Sequence, residues 1–189
     1  ETQSVYQRGF SAITNTDYRR QFGEAFAPGT KLYDNIGQFF KVGTSTTHNL
    51  SFESGTETTS YRLSLSNLKQ DGVTPNTSYN RLNASLNATA KISPKFKSEG
   101  TLSFTKSENQ KASKGGSGGL TGSNGYLLTL LGWPQDDNVL DYLNTDGSRR
   151  KITSGALDTE TDNPFWDVKK NLSEDFNNRF VTNAGLIYG

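Results

Sequence analysis

The chain has 189 residues, of which only 31% are hydrophobic; its net charge is +1, and it holds one His and no Cys. Balanced charge gives no electrostatic footprint for nucleic acid, and zero Cys excludes disulfides, thiolate zinc sites and cysteine nucleophiles. No apolar run reaches the ~18 residues of a membrane-crossing helix, yet eleven Phe, eight Tyr and two Trp argue against simple disorder. Ser, Thr and Asn supply 59 residues, which suggests β-structure with one wet face.

In chain order, the first predicted element is a weak strand at about 4–12, followed by a long connection at about 13–45. The next strand, about 46–55, sets His48, Leu50 and Phe52 against Asn49, Ser51 and Glu53. A short turn at Gly55–Thr58 leads to a strand at about 58–70, where Tyr61, Leu63 and Leu65 oppose Arg62, Ser64 and Ser66. After the Asp71–Thr77 loop, a strand at about 79–92 puts Leu82, Ala84, Leu86, Ala88, Ala90 and Ile92 on one face. Asn83, Ser85, Asn87, Thr89 and Lys91 take the other. Ser93-Pro94-Lys95 is a second short turn. The strand at about 96–107 opposes Phe96, Leu102 and Phe104 to Lys97, Glu99 and Thr101. A connection at about 108–177 precedes a last strand, about 178–189, with Phe180, Ala184, Leu186 and Tyr188 against Arg179, Asn183 and Gly185. Period-2 alternation marks strands between an apolar and a polar medium.

Several of these runs are longer than the ~5–6 residues usual in globular strands, and meet the ~9–11 residues of a tilted strand crossing a bilayer. Short turns alternate with longer loops, as in an outer-membrane barrel. Within the second long connection, Lys114–Gly119 reads as a flexible Gly/Ser stretch. Gly125–Gly132 is a short apolar run that suits a small helix or a buried strand equally.

Candidate chemistry is sparse. His48 has no nucleophile paired with it and sits on the apolar parity, so a packed or interfacial role is favoured over catalysis. The acids Asp136, Asp137, Asp158, Glu160 and Asp162 read first as a solvated loop. Calcium could take their oxygens, but EF-hand spacing is lacking. Trp133 and Trp166, with Asp136 and Asp137, are the candidates for ligand contact, since amphipathic aromatics stack on sugars or peptides. The competing reading, that the two Trp pack the loop against itself, is favoured because ~70 residues without structure would be unusual. The N-x-S/T triplets at Asn49, Asn76, Asn83, Asn87 and Asn171 are expected by chance at this composition. No catalytic set and no metal site is evident, so the chain is not expected to be an enzyme.

Phe39–Gly43, followed by Thr47-His48-Asn49-Leu50-Ser51-Phe52, resembles the start of the barrel in SusC/RagA-type TonB-linked outer-membrane proteins. Thr58–Ser64, then Lys69-Gln70-Asp71-Gly72-Val73-Thr74-Pro75-Asn76-Thr77-Ser78-Tyr79 and Arg81–Asn87, resembles that family's hairpin and its Q-x-G-x-x-P-N-x-x-Y loop. Asp162-Asn163-Pro164-Phe165-Trp166 and Asp175–Phe180 resemble its return into the barrel. The likeness covers about 36–110 and 160–189.

The resemblance implies an all-β fold: about six strands of a larger antiparallel transmembrane barrel of 22 strands, with the plug domain absent. Such a chain would be the N-terminal part of the barrel of a longer protein. It implies import of oligosaccharides or peptides through the bacterial outer membrane, with a SusD-like surface lipoprotein as partner and TonB reached through an N-terminal region missing here. No cofactor is implied, with calcium only in the partner or the loops. Under this reading Tyr61, Leu63, Leu65, Leu82, Leu86, Ile92, Leu102, Phe104 and Leu186 face lipid. Arg62, Asn83, Asn87, Lys97, Glu99, Thr101 and Asn183 face the lumen. The alternatives are a SusC-like scaffold in a larger outer-membrane complex and a soluble glycan-binding β-sandwich, which also alternates.

Overall fold

The computed structural model describes residues 4–9, 17–112, 125–150 and 163–189. Lys114–Gly119, Asp158, Glu160 and Asp162 lie outside the described residues. The architecture is mainly antiparallel β. β1 (Tyr6–Gly9) pairs with β2 (Asp17–Ala25) in a two-stranded sheet. β3 (Thr44–Gly55), β4 (Thr59–Asp71), β5 (Ser78–Ser93), β6 (Phe96–Ala112) and β7 (Leu172–Tyr188) form a five-stranded sheet in sequence order. Three short helices complete the described chain: α1 (Asn35–Phe39), α2 (Gly125–Leu131) and α3 (Pro164–Lys170).

The elements divide between two compact units. The first contains Glu1–Val42, Val73–Asn76 and Lys111–Ser173. The second contains Gly43–Gly72, Thr77–Gln110 and Glu174–Gly189, which is nearly all of the five-stranded sheet.

The sheet follows from the sequence alternation. Register is continuous along β3–β4 and β4–β5, so Phe52, Leu63, Leu86 and Leu102 fall in one cross-strand row, and Leu50, Leu65, Ala84 and Phe104 in the next. A one-residue slip would move every one of these side chains to the opposite face. Two tight turns hold the register. Thr56 Oγ1 accepts the N–H groups of Thr59 (3.1 Å) and Thr58 (3.3 Å), closing the β3–β4 turn. Pro94 and Lys95 link β5 to β6 beside a register shift between Lys91 and Ser93. On the last pair, Lys95 O accepts from Gly189 N at 3.1 Å, and the rings of Phe96 and Tyr188 lie 5.1 Å apart. A Cβ added at Gly185 would meet Glu99 Cγ at 3.2 Å. β7 is therefore antiparallel to β6, with its even-numbered residues on the face of Leu102 and Phe104.

The longer β4–β5 loop needs special backbone. Gly72 N donates to Thr77 O at 2.9 Å, and a Cβ at Gly72 would collide with Thr77 Oγ1. Asn76 takes the left-handed conformation at φ 56, which Asn tolerates better than most residues.

Three boundaries differ from the expectation. Asp17–Ala25 is a strand, although it falls in the connection expected at 13–45. Tyr18, Phe22 and Phe26 recur every fourth residue with charged Arg20 and Glu24 between them, so period-2 alternation is missing. β1 pairs with this strand and not with the five-stranded sheet, which therefore holds five of the six expected strands. β6 runs on to Ala112 and β7 begins at Leu172, both beyond the expected limits. Glu108, Gln110 and Glu174 occupy the otherwise apolar parity there, so alternation of polarity disappears while strand pairing continues.

Candidate functional site

The first unit is built around a true core: Phe39, Ala112, Tyr126, Leu130, Trp133, Val139, Phe165 and Val168. Its helices are too short to be stable alone, so caps and packing hold them. Asp34 Oδ1 accepts from Gly37 N at 2.9 Å at the start of α1. Asn163 caps α3, accepting from Phe165 N at 2.7 Å, with Pro164 in the first turn where its missing N–H costs nothing.

Asparagine side chains, of which Asn35 and Asn163 are buried, tie the irregular segments to these helices. Asn35 Nδ2 donates to Pro134 O (2.9 Å) and Asp137 O (3.0 Å), while its Oδ1 accepts from Val139 N (3.0 Å). Asn163 Nδ2 donates to Val139 O at 2.9 Å, and Asn76 Nδ2 to Val168 O at 3.1 Å. Loop backbone buried away from water must find partners, and these side chains supply them. Their role is invisible in sequence, because each partner is distant in the chain and an Asn in a polar stretch looks like any other.

The four loop candidates for ligand contact are placed differently. Trp133 is buried, and its Nε1 donates to Asp137 Oδ1 at 3.3 Å. Asp137 also takes a two-pronged ion pair from Arg150, at 2.6 and 3.0 Å, which gives planar, directional charge pairing. Asp136 is half-buried beside it. Trp166 keeps part of its ring at the surface, with Lys170 Nζ 5.7 Å from the ring centre. Trp133 and Asp137 thus act together in the core network, while Trp166 does not join them there. Arg150 was not marked by any sequence signal.

Asp167 is a buried acid in α3, bonded through Oδ1 to Asn171 Nδ2 at 2.7 Å. Burial pushes its pKa above the ordinary 3.8, against the hydrogen bond from Asn171 and the attraction of Arg149. The native state therefore favours the neutral acid. That contribution to stability is complete below the ordinary pKa and is lost as pH rises through the raised one. Asp167→Asn keeps an oxygen for Asn171 and removes the charge. Its unfolding midpoint is expected to exceed the parent's at pH 7 and to equal it at pH 3. A lower midpoint at pH 7 would show that the Arg149 attraction outweighs burial.

The second unit has the opposite character. Among the described residues it contains no buried side chain. One face carries Leu50, Phe52, Tyr61, Leu63, Leu65, Leu82, Leu86, Phe96, Leu102, Phe104, Phe176, Phe180, Leu186 and Tyr188. Those that stand out as exposed do so by 37% to 68%. His48 shares this parity at the upper end of the apolar rows. The other face is a carpet of hydroxyls, amides and scattered charges: Arg62, Arg81, Asn83, Asn87, Lys97, Glu99, Thr101 and Asn183. Thr101 Oγ1 donates to Asn87 Oδ1, and Thr105 Oγ1 to Asn83 Oδ1, each at 2.9 Å. In β3–β6 the register sets the apolar and polar rows on opposite faces of the sheet. Leu68 of β4 and Val181 and Ile187 of β7 are apolar residues on the polar parity.

No protein-family model matches this chain, and no curated protein matches its sequence.

Proposed function

We propose that the five-stranded sheet is a section of a transmembrane β-barrel, with Leu63, Leu86 and Leu102 toward lipid and Asn83, Asn87 and Thr101 toward the lumen. The observation that carries this reading is a broad apolar face whose large side chains are exposed among the described residues. A patch this large is foreign to the surface of a soluble monomer. Its height also fits. Leu82 to Ile92 covers about ten residue steps, ~34 Å of strand at ~3.4 Å per residue. Tilted by ~45°, that is ~24 Å, against an apolar band of ~25 Å in such barrels. Tyr61, Phe96 and Tyr188 lie toward the turn end of the band, where interfacial aromatics belong. The outer edges of β3 and β7 have no partner strand among the described residues, and lipid tolerates no open edge. Further strands, toward the 22 of the resembled family, would complete the wall.

Within that frame we read the chain as part of a SusC/RagA-like importer of oligosaccharides or peptides in the bacterial outer membrane. It would be gated through TonB and would work with a SusD-like lipoprotein. The motifs at Lys69–Tyr79 and Asn163–Trp166 support this finer reading, in which the long connections at about 13–45 and 108–177 would be extracellular loops. Two experiments test it. Urea-unfolded full-length protein, diluted into phosphatidylcholine vesicles, should gain β-structure and protease protection of the sheet, and should fail to do so in buffer alone. A monodisperse folded protein in detergent-free buffer contradicts the barrel. Deletion of the gene should abolish growth on oligosaccharides or peptides as sole carbon source; unchanged uptake contradicts import and leaves the scaffold reading.

A further inference from the structure

The turn end of the five-stranded sheet encloses a concavity of about 410 Å³, formed by the β3–β4 turn, the β5–β6 turn and the end of β7. Three cations line it: Lys91, Lys95 and Lys97. Lys91 and Lys97 are direct cross-strand partners on the polar face. Such partners stand about 4.5–5.5 Å apart at Cβ, and like charges placed this way repel. The acids at this end are Glu57, in the wall, and Glu99, opposite Thr89 in the adjoining row. Among the described residues, none of the three lysines forms an ion pair with either. Hydroxyls fill the space between the charges, with Ser60 Oγ and Thr89 Oγ1 bonded to each other at 2.7 Å.

We propose that this concavity binds a phosphate group, with Lys91, Lys95 and Lys97 as its cationic ligands. A phosphate seated there converts the repulsion into several charge-assisted hydrogen bonds, and Lys serves phosphate as a point charge. Among the lining side chains, three lysines against the carboxylate of Glu57 sum to two positive charges, which matches the charge of about −1.5 to −2 on a phosphomonoester at neutral pH. The volume falls in the range of about 300–1,000 Å³ usual for small-molecule sites, so there is room for the group that carries the phosphate. That carrier is either a soluble phosphate compound or an anionic lipid headgroup. The site is made within the second unit and does not rest on the barrel reading.

The test uses the full-length protein in an uncharged maltoside detergent. Inorganic phosphate and dihexanoyl-phosphatidic acid, a lipid phosphomonoester, are titrated separately by calorimetry, at low and at physiological salt. Saturable binding of at least one probe is expected, weakened about tenfold or more in Lys91→Ala and in Lys97→Ala and retained in Lys97→Arg. Lys31→Ala, in the first unit, should bind like the parent. Binding of inorganic phosphate identifies a soluble source; binding of the lipid alone identifies a headgroup. All three lysines are exposed, and far-UV circular dichroism verifies that the variants fold. Absence of saturable binding for both probes overturns the proposal. So does undiminished binding by the Lys91→Ala/Lys97→Ala double variant.

Discussion

Phe39→Ala is expected to destabilise the first unit by about 3–5 kcal/mol, the cost of emptying a large aromatic site in a packed core. Phe39 is only 1% exposed and closes α1. Its ring lies 5.3 Å from Tyr126 of α2, 5.1 Å from Phe165 of α3 and 5.2 Å from Phe40. It is therefore the meeting point of three helices that are each too short to persist alone. Its neighbours are fixed by their own contacts: Tyr126 Oη is bonded to Thr74 Oγ1 at 3.0 Å, and Phe165 N to the Asn163 cap. Collapse into the vacated space would break these bonds, so the cavity persists. Both Trp of these 189 residues belong to the first unit, so Trp fluorescence of the 189-residue chain during denaturation reports on this unit. A loss below about 1 kcal/mol would mean that the three helices do not depend on this ring.

Leu86→Lys is expected to cost about 2–4 kcal/mol in a bilayer, the penalty for a cation near the midplane of a barrel wall. Leu86 lies between Leu63 and Leu102 in the middle of the apolar rows. Asn87→Lys, one residue along and on the other face, is the matched control. It should stay within about 0.5 kcal/mol, as substitutions at a watery surface do. Urea titration of the two variants in vesicles measures the difference. Equal costs would mean that the two faces meet the same medium.

The sheet was legible because its residues answer to one variable, the polarity of each face. Tyr61-Arg62-Leu63-Ser64-Leu65 states its own orientation, and register then follows from neighbouring rows. Legibility ends where that variable stops acting. Above the apolar rows, β6 continues through Glu108 and Gln110, polar on both faces, and its end cannot be seen in the sequence. β2 is hidden by the four-residue spacing of Tyr18, Phe22 and Phe26. The run Tyr126–Leu131 is apolar at every position but Thr129, so periodicity could not separate helix from strand, and packing against Phe39 and Phe165 decided it. α3 did carry a signal, Asn163 before Pro164, the ordinary start of a helix. The asparagine clamps and the Asp137–Arg150 pair needed the fold itself, since Asn35 and Val139 are 104 residues apart.

The central claim is that the apolar face of the five-stranded sheet meets lipid while the opposite face meets water. These 189 residues hold no Cys, so single cysteines can be placed among them, in a full-length protein cleared of any other Cys, and spin-labelled after reconstitution in bilayers. Labels at Leu63, Leu86 and Leu102 should collide with oxygen far more than with a water-soluble nickel complex, and labels at Ser64, Asn87 and Thr101 should show the reverse. Nickel accessibility equal on both faces, or higher at Leu63, Leu86 and Leu102, would contradict the account.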